Sequence, residues 1–336
     1  MQRITPVIRH YDWGTTDDIP RFLGAEPDGR PCAEAWWGAH TSAPSALPDE
    51  ALPLALDERI AQQPEDMLGA EAAQRWGGRL PYLLKILAIA KPLSIQVHPT
   101  LDQAREGFAL EQRGTGGAPH TFLDPFHKPE MVVAITPMRV LAGIRPLEWV
   151  AADLRTLDTD RAWELAAVLD EAEDATEFLR SVLTEGIDDA TFAALATVGA
   201  ASAPGTSLRA AADALAFFPA DAGAVVALAL NLVELDPGEA VYTGAGILHS
   251  YQSGVGLEIM ANSDNVVRAG LTPKHVDVPL LLTLADARPA PPSMPVAKLD
   301  GAARHLVTAA EEFALTLVKD GEAVVPAAPR IVLCHS

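Results

Sequence analysis

Apolar positions in the first 147 residues come in short runs punctuated by Gly and Pro, as in ITPVIRHYDWG (4–14) and MVVAITPMRVLAGIRP (131–146). Runs of this length between turn formers predict strands. One helix is expected among them, after Pro99, because Thr100 and Gln103 have the spacing of a capping box. From Pro146 the period changes. EWVAADLRTL (148–157), RAWELAAVLDEAEDATEFLRSVL (161–183) and SLRAAADALAFF (207–218) are Ala- and Leu-rich at helical spacing, with Trp163, Ala167 and Asp170 giving way to Phe178, Leu179, Val182 and Leu183. Strand texture returns in AVVALALNLVELDPGEAVYTGAGILHSYQSG (224–254), where Pro237 and Gly238 place a tight turn between two apolar runs. After the Pro-rich ADARPAPPSMP (285–295), FALTLV (313–318) and RIVLC (330–334) read as further strands, too few for a full second barrel. Short strands, Gly-rich turns and no alternating βαβ units predict a mainly β fold of sandwich or jelly-roll type with an α-helical insert.

At 336 residues the chain exceeds what one core usually supports. The texture divides it into 1–147 with 222–285, an insert at 148–221, and a C-terminal β segment at 286–336. The longest apolar run, LPYLLKILAIAKPLSI (80–95), is broken by Lys85, Lys91 and Pro92, so no membrane span is expected. The N-terminal sequence shows no basic-then-apolar leader pattern, and a cytoplasmic location is expected.

Charge narrows the partners. The formal net charge of −20 argues against nucleic acid or an anionic membrane, which demand a basic surface. The insert holds fifteen Asp or Glu against four Arg and no Lys, which reads as a solvated outer face. Cys32 and Cys334 lie at opposite ends of the chain and suit neither a disulfide framework nor a thiolate metal site.

Candidate chemistry centres on LSIQVHPT (93–100). On a strand, Gln96 and His98 point to one side with Val97 facing the other, so the pair could grip a metal. A catalytic metal needs further donors. Glu130, in HKPEMVVAI (127–135), and His249, in GILHSY (246–251), each border an apolar run. Each alone reads as an ordinary polar residue at a strand end; together they form a nitrogen and oxygen donor set suited to zinc, manganese or iron. Glu258 alternates with apolar neighbours, facing either solvent or the metal, since a period of two does not say which face is inside. Asp264, Arg268 and Lys274 share one Gly- and Pro-containing loop, where solvated turn residues are the ordinary expectation. Lys85 in its apolar run would ordinarily snorkel to solvent, and Lys128 would share the face of Glu130 if both were on a strand. An anionic sugar phosphate would give Lys85, Lys128, Arg268 and Lys274 a common rationale. No phosphate-binding glycine loop, dinucleotide fingerprint or serine-hydrolase elbow is present.

The segments YDWG (11–14), AEAWWGAH (33–40), LPYLLKIL (80–87), LSIQVHPT (93–100), HKPEM (127–131), GILHSY (246–251) and LEIMANSDNVVRAGLTPKHVD (257–277) resemble, in order, the signature blocks of the type I phosphomannose isomerase family. The resemblance covers roughly 1–285. It implies a cupin architecture with a helical insert, and one Zn2+ per chain on Gln96, His98, Glu130 and His249. It also implies interconversion of mannose 6-phosphate and fructose 6-phosphate, with the catalytic arginine at Arg268 and a pocket lined by Ser94, Lys85, Lys128, Asp264, Glu258 and Lys274. Glu258 is the favoured base, with Asp264, a lysine or a zinc-bound hydroxide as alternatives. A second jelly roll, usual in that family, is expected to be short or incomplete here, leaving a sheet edge that invites association. A metal-dependent cupin oxygenase and a non-catalytic sugar-binding cupin are the rival readings.

Overall fold

The structure, a computed structural model, describes residues 2–49, 54–114, 121–319 and 329–333. Its centre is one long strand, His249–Ala261, shared by two antiparallel sheets. The second half of that strand lies between Tyr82–Ile89 and Glu130–Ala134, and the sheet extends outward through Glu34–Gly38 and Val7–Arg9 on one side and Ala240–Thr243 on the other. Its first half lies between Ile95–Val97 and Met138–Ile144, with Val267–Gly270 and Leu230–Leu235 outside them. The change of sheet falls at a register shift between Tyr251 and Ser253. Gly254 follows with φ +107, and a Cβ there would stand 2.5 Å from the Pro137 carbonyl oxygen. Only glycine combines that backbone with that approach.

Alternation sorts the strand residues. In the first sheet Trp37, Leu84, Ile86, Ile259, Met131 and Val133 pack outward into one apolar cluster. The opposite face carries Glu34, Lys85, Glu258 and Glu130 among apolar residues such as Leu87 and Val132. In the second sheet Ile95, Val97, Leu141, Ile144, Val267 and Ala269 are buried under the insert helices. Gln96 and His249 therefore point back toward the polar face of the first sheet.

The insert comprises Leu147–Thr156, Asp160–Asp170, Thr176–Thr184, Asp189–Ala201 and Ser207–Phe217. The run 161–183, read as helical throughout, breaks into two helices around the acidic residues 171–174, where Glu171 and Asp174 lie outside both. Its buried stripe is Ala162, Leu165, Ala166 and Leu169, whereas Trp163, Ala167 and Asp170 face solvent. The residues 224–228, expected to be strand, belong to the fully buried helix Gly223–Leu228, and the strand begins at Leu230. A short apolar run buried on every side carries no period by which helix and strand differ. Four short helices, Asp18–Phe22, Leu56–Gln62, Pro64–Leu68 and Ala70–Arg75, also stand where strands and turns were expected.

The helix after Pro99 is Leu101–Arg113, with both halves of the Thr100–Gln103 capping box made. The turn at Pro237 and Gly238 joins strands of different sheets rather than closing a hairpin, as Leu230–Leu235 pairs with Met138–Ile144 and Ala240–Thr243 with Glu130–Ala134. Past the Pro-rich segment, Val296–Asp300, Ala303–Val307 and Leu315–Leu317 make a separate three-stranded sheet that docks through Leu306 and Phe313. The segment 329–333 forms no strand, and Cys334 lies outside the described residues. No helix among the described residues is long and apolar enough to cross a membrane.

Candidate metal centre and substrate cavity

Strand ends build the centre. Glu130 opens its strand, His249 opens the long strand, and His98 follows Ile95–Val97 by one residue. One donor atom from each of these three buried residues lies within 4.8 Å of the other two. Gln96 stands directly across the ladder from His249, and Arg268 directly across from Gln96. His249, Gln96 and Arg268 thus form a row over three strands, side chains on one face.

Hydrogen bonds fix the ring states. The Nδ1 of His98 meets the Asn265 carbonyl oxygen at 2.7 Å, and that of His249 meets the Ile247 carbonyl oxygen at 2.9 Å. A carbonyl can only accept, so each Nδ1 donates and each neutral Nε2 presents a lone pair. Those lone pairs face the Glu130 carboxylate, with Oε2 3.1 Å from His249 and Oε1 3.3 Å from His98. The Nε2 of His98 is buried without a hydrogen-bond partner among the described residues. Three acceptors converging in a buried site repel one another unless a cation sits between them. The carbonyl bonds behind the two rings are the outer supports that metal-bound histidines use. The donor set therefore fits a divalent metal.

Two lysines stand beside it, both buried. Lys128 Nζ is 2.9 Å from Glu130 Oε1, and Lys85 Nζ is 3.0 Å from Glu258 Oε2. Lys85 does not snorkel: its place in the row Trp36–Lys85–Glu258 turns it inward, where Glu258 pairs with it. Lys128 precedes the strand rather than lying on it, yet reaches the same carboxylate. The neighbours settle the face of Glu258, which is 3% exposed.

Electrostatics follow from burial and pairing. Burial works against the Lys85 ammonium, but Glu258, Glu34 and Glu130 outweigh it and raise its pKa. Burial pushes the Glu258 carboxyl up and Glu130 adds to this, with Lys85 opposing. Burial also opposes ionisation of Glu130, yet the Lys128 ammonium beside it outweighs this and holds it well below the usual carboxylate range. His98 is driven down to about 4, chiefly by burial. Arg268 is lowered by burial, and no acidic group among the described residues lies within ion-pair distance of it.

Lys85, Ser94, Gln96, Lys128, Glu130, His249 and Glu258 line one cavity of about 110 Å³. His98 is not a lining residue but meets the lining residue Glu130, with Nε2 3.3 Å from Oε1. Arg268 adjoins Gln96, and Asp264 lies outside the wall, near enough for Lys128 and Lys85 to lower its pKa after the larger effect of a hydrogen bond from His40. Lys274 sits on an exposed loop and does not reach the cavity wall. Glu34 and Tyr251, not singled out from sequence as site residues, also line the cavity. The Glu34 signal was present: Glu34 and Trp36 alternate on a strand whose other face is apolar.

Fold and site together define a β protein with a metal-ready centre in a cation-bearing cavity. The family model for phosphomannose isomerase type I, catalytic domain, matches residues 1–147. The mannose-6-phosphate isomerase of Escherichia coli strain K12 is 34% identical over 345 residues, covering 94% of this chain and 83% of the relative. A solved mutant of phosphomannose isomerase from Salmonella typhimurium has a TM-score of 0.87 at 32% identity, over 94% of this chain and 82% of that one. A mannose 6-phosphate isomerase bound with zinc and yttrium gives 0.85 at 31% identity, with the same coverage of 94% and 82%. The chain belongs to the type I phosphomannose isomerase family.

Proposed function

We propose that this chain is a zinc-dependent aldose–ketose isomerase that interconverts mannose 6-phosphate and fructose 6-phosphate through a cis-enediolate. The observation that carries this reading is the convergence of His98, Glu130 and His249 with lone pairs inward, in a chain of this family. Gln96, His98, Glu130 and His249 would hold the zinc, which supplies Lewis-acid polarisation of substrate oxygen. The rest falls to the protein.

Moving the carbonyl between C1 and C2 requires removal of one carbon-bound proton and its return to the neighbour. Glu258 is the base: burial raises its proton affinity toward the working range, and Lys85 holds its carboxylate in one orientation. Negative charge then grows on the enediolate oxygens. Arg268, half-buried and without an acidic partner among the described residues, is a cation whose charge is still available to them. Lys85 and Lys128 are already paired to carboxylates, so with Ser94 and Asp264 they orient hydroxyl and anionic groups of the sugar phosphate. Lys274, on its exposed loop, would contribute only as substrate enters.

The two sheets sharing His249–Ala261 read as a cupin jelly roll formed by 1–147 and 222–285, with 148–221 as its helical insert and the C-terminal sheet as part of a second β domain. Family membership weighs against the oxygenase and pure binding readings. The test is to incubate the purified protein with mannose 6-phosphate in deuterated water. Fructose 6-phosphate carrying solvent deuterium is expected from the wild type and from neither reaction direction in Glu258→Gln. No conversion by the wild type would refute the function, and retained exchange in the variant would refute the base.

A further inference from the structure

Outside the cavity wall, a buried histidine is aimed at the site from behind. His40 is 3% exposed and lies just past the strand Glu34–Gly38, in a loop closed by the Ser45 amide bonding the Gly38 carbonyl oxygen at 2.9 Å. Its ring packs edge-on against Trp36, with centroids 5.0 Å apart. The Ser42 backbone N–H donates to His40 Nδ1 at 3.2 Å, and Ser42 Oγ lies 2.9 Å from the same nitrogen. A nitrogen that accepts from an amide carries no proton, so the neutral ring keeps its proton on Nε2. That Nε2 is 3.2 Å from Asp264 Oδ1. Arg9 extends the chain, donating from Nη2 to Ser42 Oγ at 3.2 Å. Asp264 is otherwise poorly held: its side chain is 48% exposed, on the loop that precedes the Arg268 strand Val267–Gly270.

We propose that His40 is the positioning residue for Asp264: locked in one tautomer by Ser42, it donates from Nε2 to the carboxylate and fixes it at the cavity mouth toward a hydroxyl of the sugar phosphate. This rests on the isomerase reading above. A carboxylate on an exposed loop would otherwise sample many rotamers, and each would have to be selected on binding. His40 removes that selection from the binding step. Because the contact with a hydroxyl exists in ground and transition states alike, its loss raises KM rather than lowering kcat.

The experiment is steady-state kinetics on His40→Phe, His40→Gln, Asp264→Ala and the double variant His40→Phe/Asp264→Ala, all with bound metal measured. His40→Phe keeps the ring that packs on Trp36 but cannot donate; KM is expected to rise about tenfold with kcat within about twofold. His40→Gln restores a donor and recovers most of the loss. In the Asp264→Ala background His40→Phe has little further effect, since the acceptor it served is gone. A normal KM in His40→Phe overturns the inference, as does the full tenfold loss repeated in the Asp264→Ala background. A wild type that does not isomerise the sugar phosphate fails the functional reading instead, so the two failures are distinct.

Discussion

At the scale of single residues, the site separates cations that are already neutralised from one that is not. Lys85 and Lys128 each touch a carboxylate at about 3 Å, whereas Arg268 meets no acid among the described residues. Arg268→Ala is therefore expected to lower kcat by about 10²–10³, the range for losing one preorganised oxyanion donor, while bound metal stays at the wild-type level. Metal analysis and turnover on one preparation check it; normal turnover would remove Arg268 from the chemistry. Gln96 and His98 were legible as a pair because a spacing of two on a strand has one geometric meaning, whereas Glu130 and His249, which the structure brings together with His98, were legible only as polar residues beside apolar runs. The face of Glu258 was left open and Lys85 was expected to snorkel, since the period fixes alternation but the inward face emerges only when Trp36, Lys85 and Glu258 line up across three strands. His40 was invisible for a further reason: its partner lies 224 positions away in sequence.

At the scale of elements, the long strand does most to assemble the site, because it is the ladder partner of both halves. It carries His249 in one sheet and Glu258 in the other. The change of sheet depends on Gly254, whose backbone is left-handed and whose Cα faces the Pro137 carbonyl. Gly254→Ala is expected to destabilise the fold by more than ~1 kcal/mol, read as a lower denaturant midpoint at unchanged slope. An unchanged midpoint would show that the bend tolerates a side chain. Helices were legible where capping and amphipathic spacing agreed, as at Thr100–Gln103. They failed where Ala blurred the stripe, so that Trp163 was placed on the repeat though Leu165 and Leu169 are the buried residues. Gly223–Leu228 is buried at every position and offered no polar residue to mark a period.

At the scale of the whole molecule, the C-terminal sheet is tied to the catalytic body beside the metal loop. Glu312 accepts from His127 at 2.5 Å, next in sequence to Lys128, and Glu311 pairs with Arg75 at 2.6 Å. Burial opposes the Glu312 charge, but His127 outweighs it and holds the carboxyl below its usual value near 4.5. A lowered folded pKa means the unfolded chain binds more protons as acid is added. The Glu312 contribution is thus complete above about pH 4.5 and lost as pH falls toward the lower folded value. Glu312→Gln should flatten the acid limb of stability against pH relative to wild type; parallel limbs would deny the tie any energetic weight. The acid-rich composition could not show that Lys85 and Lys128 are gathered inside, each beside a glutamate.

The most direct measurement is zinc titration of protein stripped by a chelator, with isomerase turnover and bound metal followed together. Turnover is expected to vanish on stripping and to return in proportion to zinc, saturating at about one ion per chain, with no binding at this site in His98→Ala. Full turnover by stripped protein, or unchanged zinc binding after loss of His98, would contradict a metal centre built from His98, Glu130 and His249.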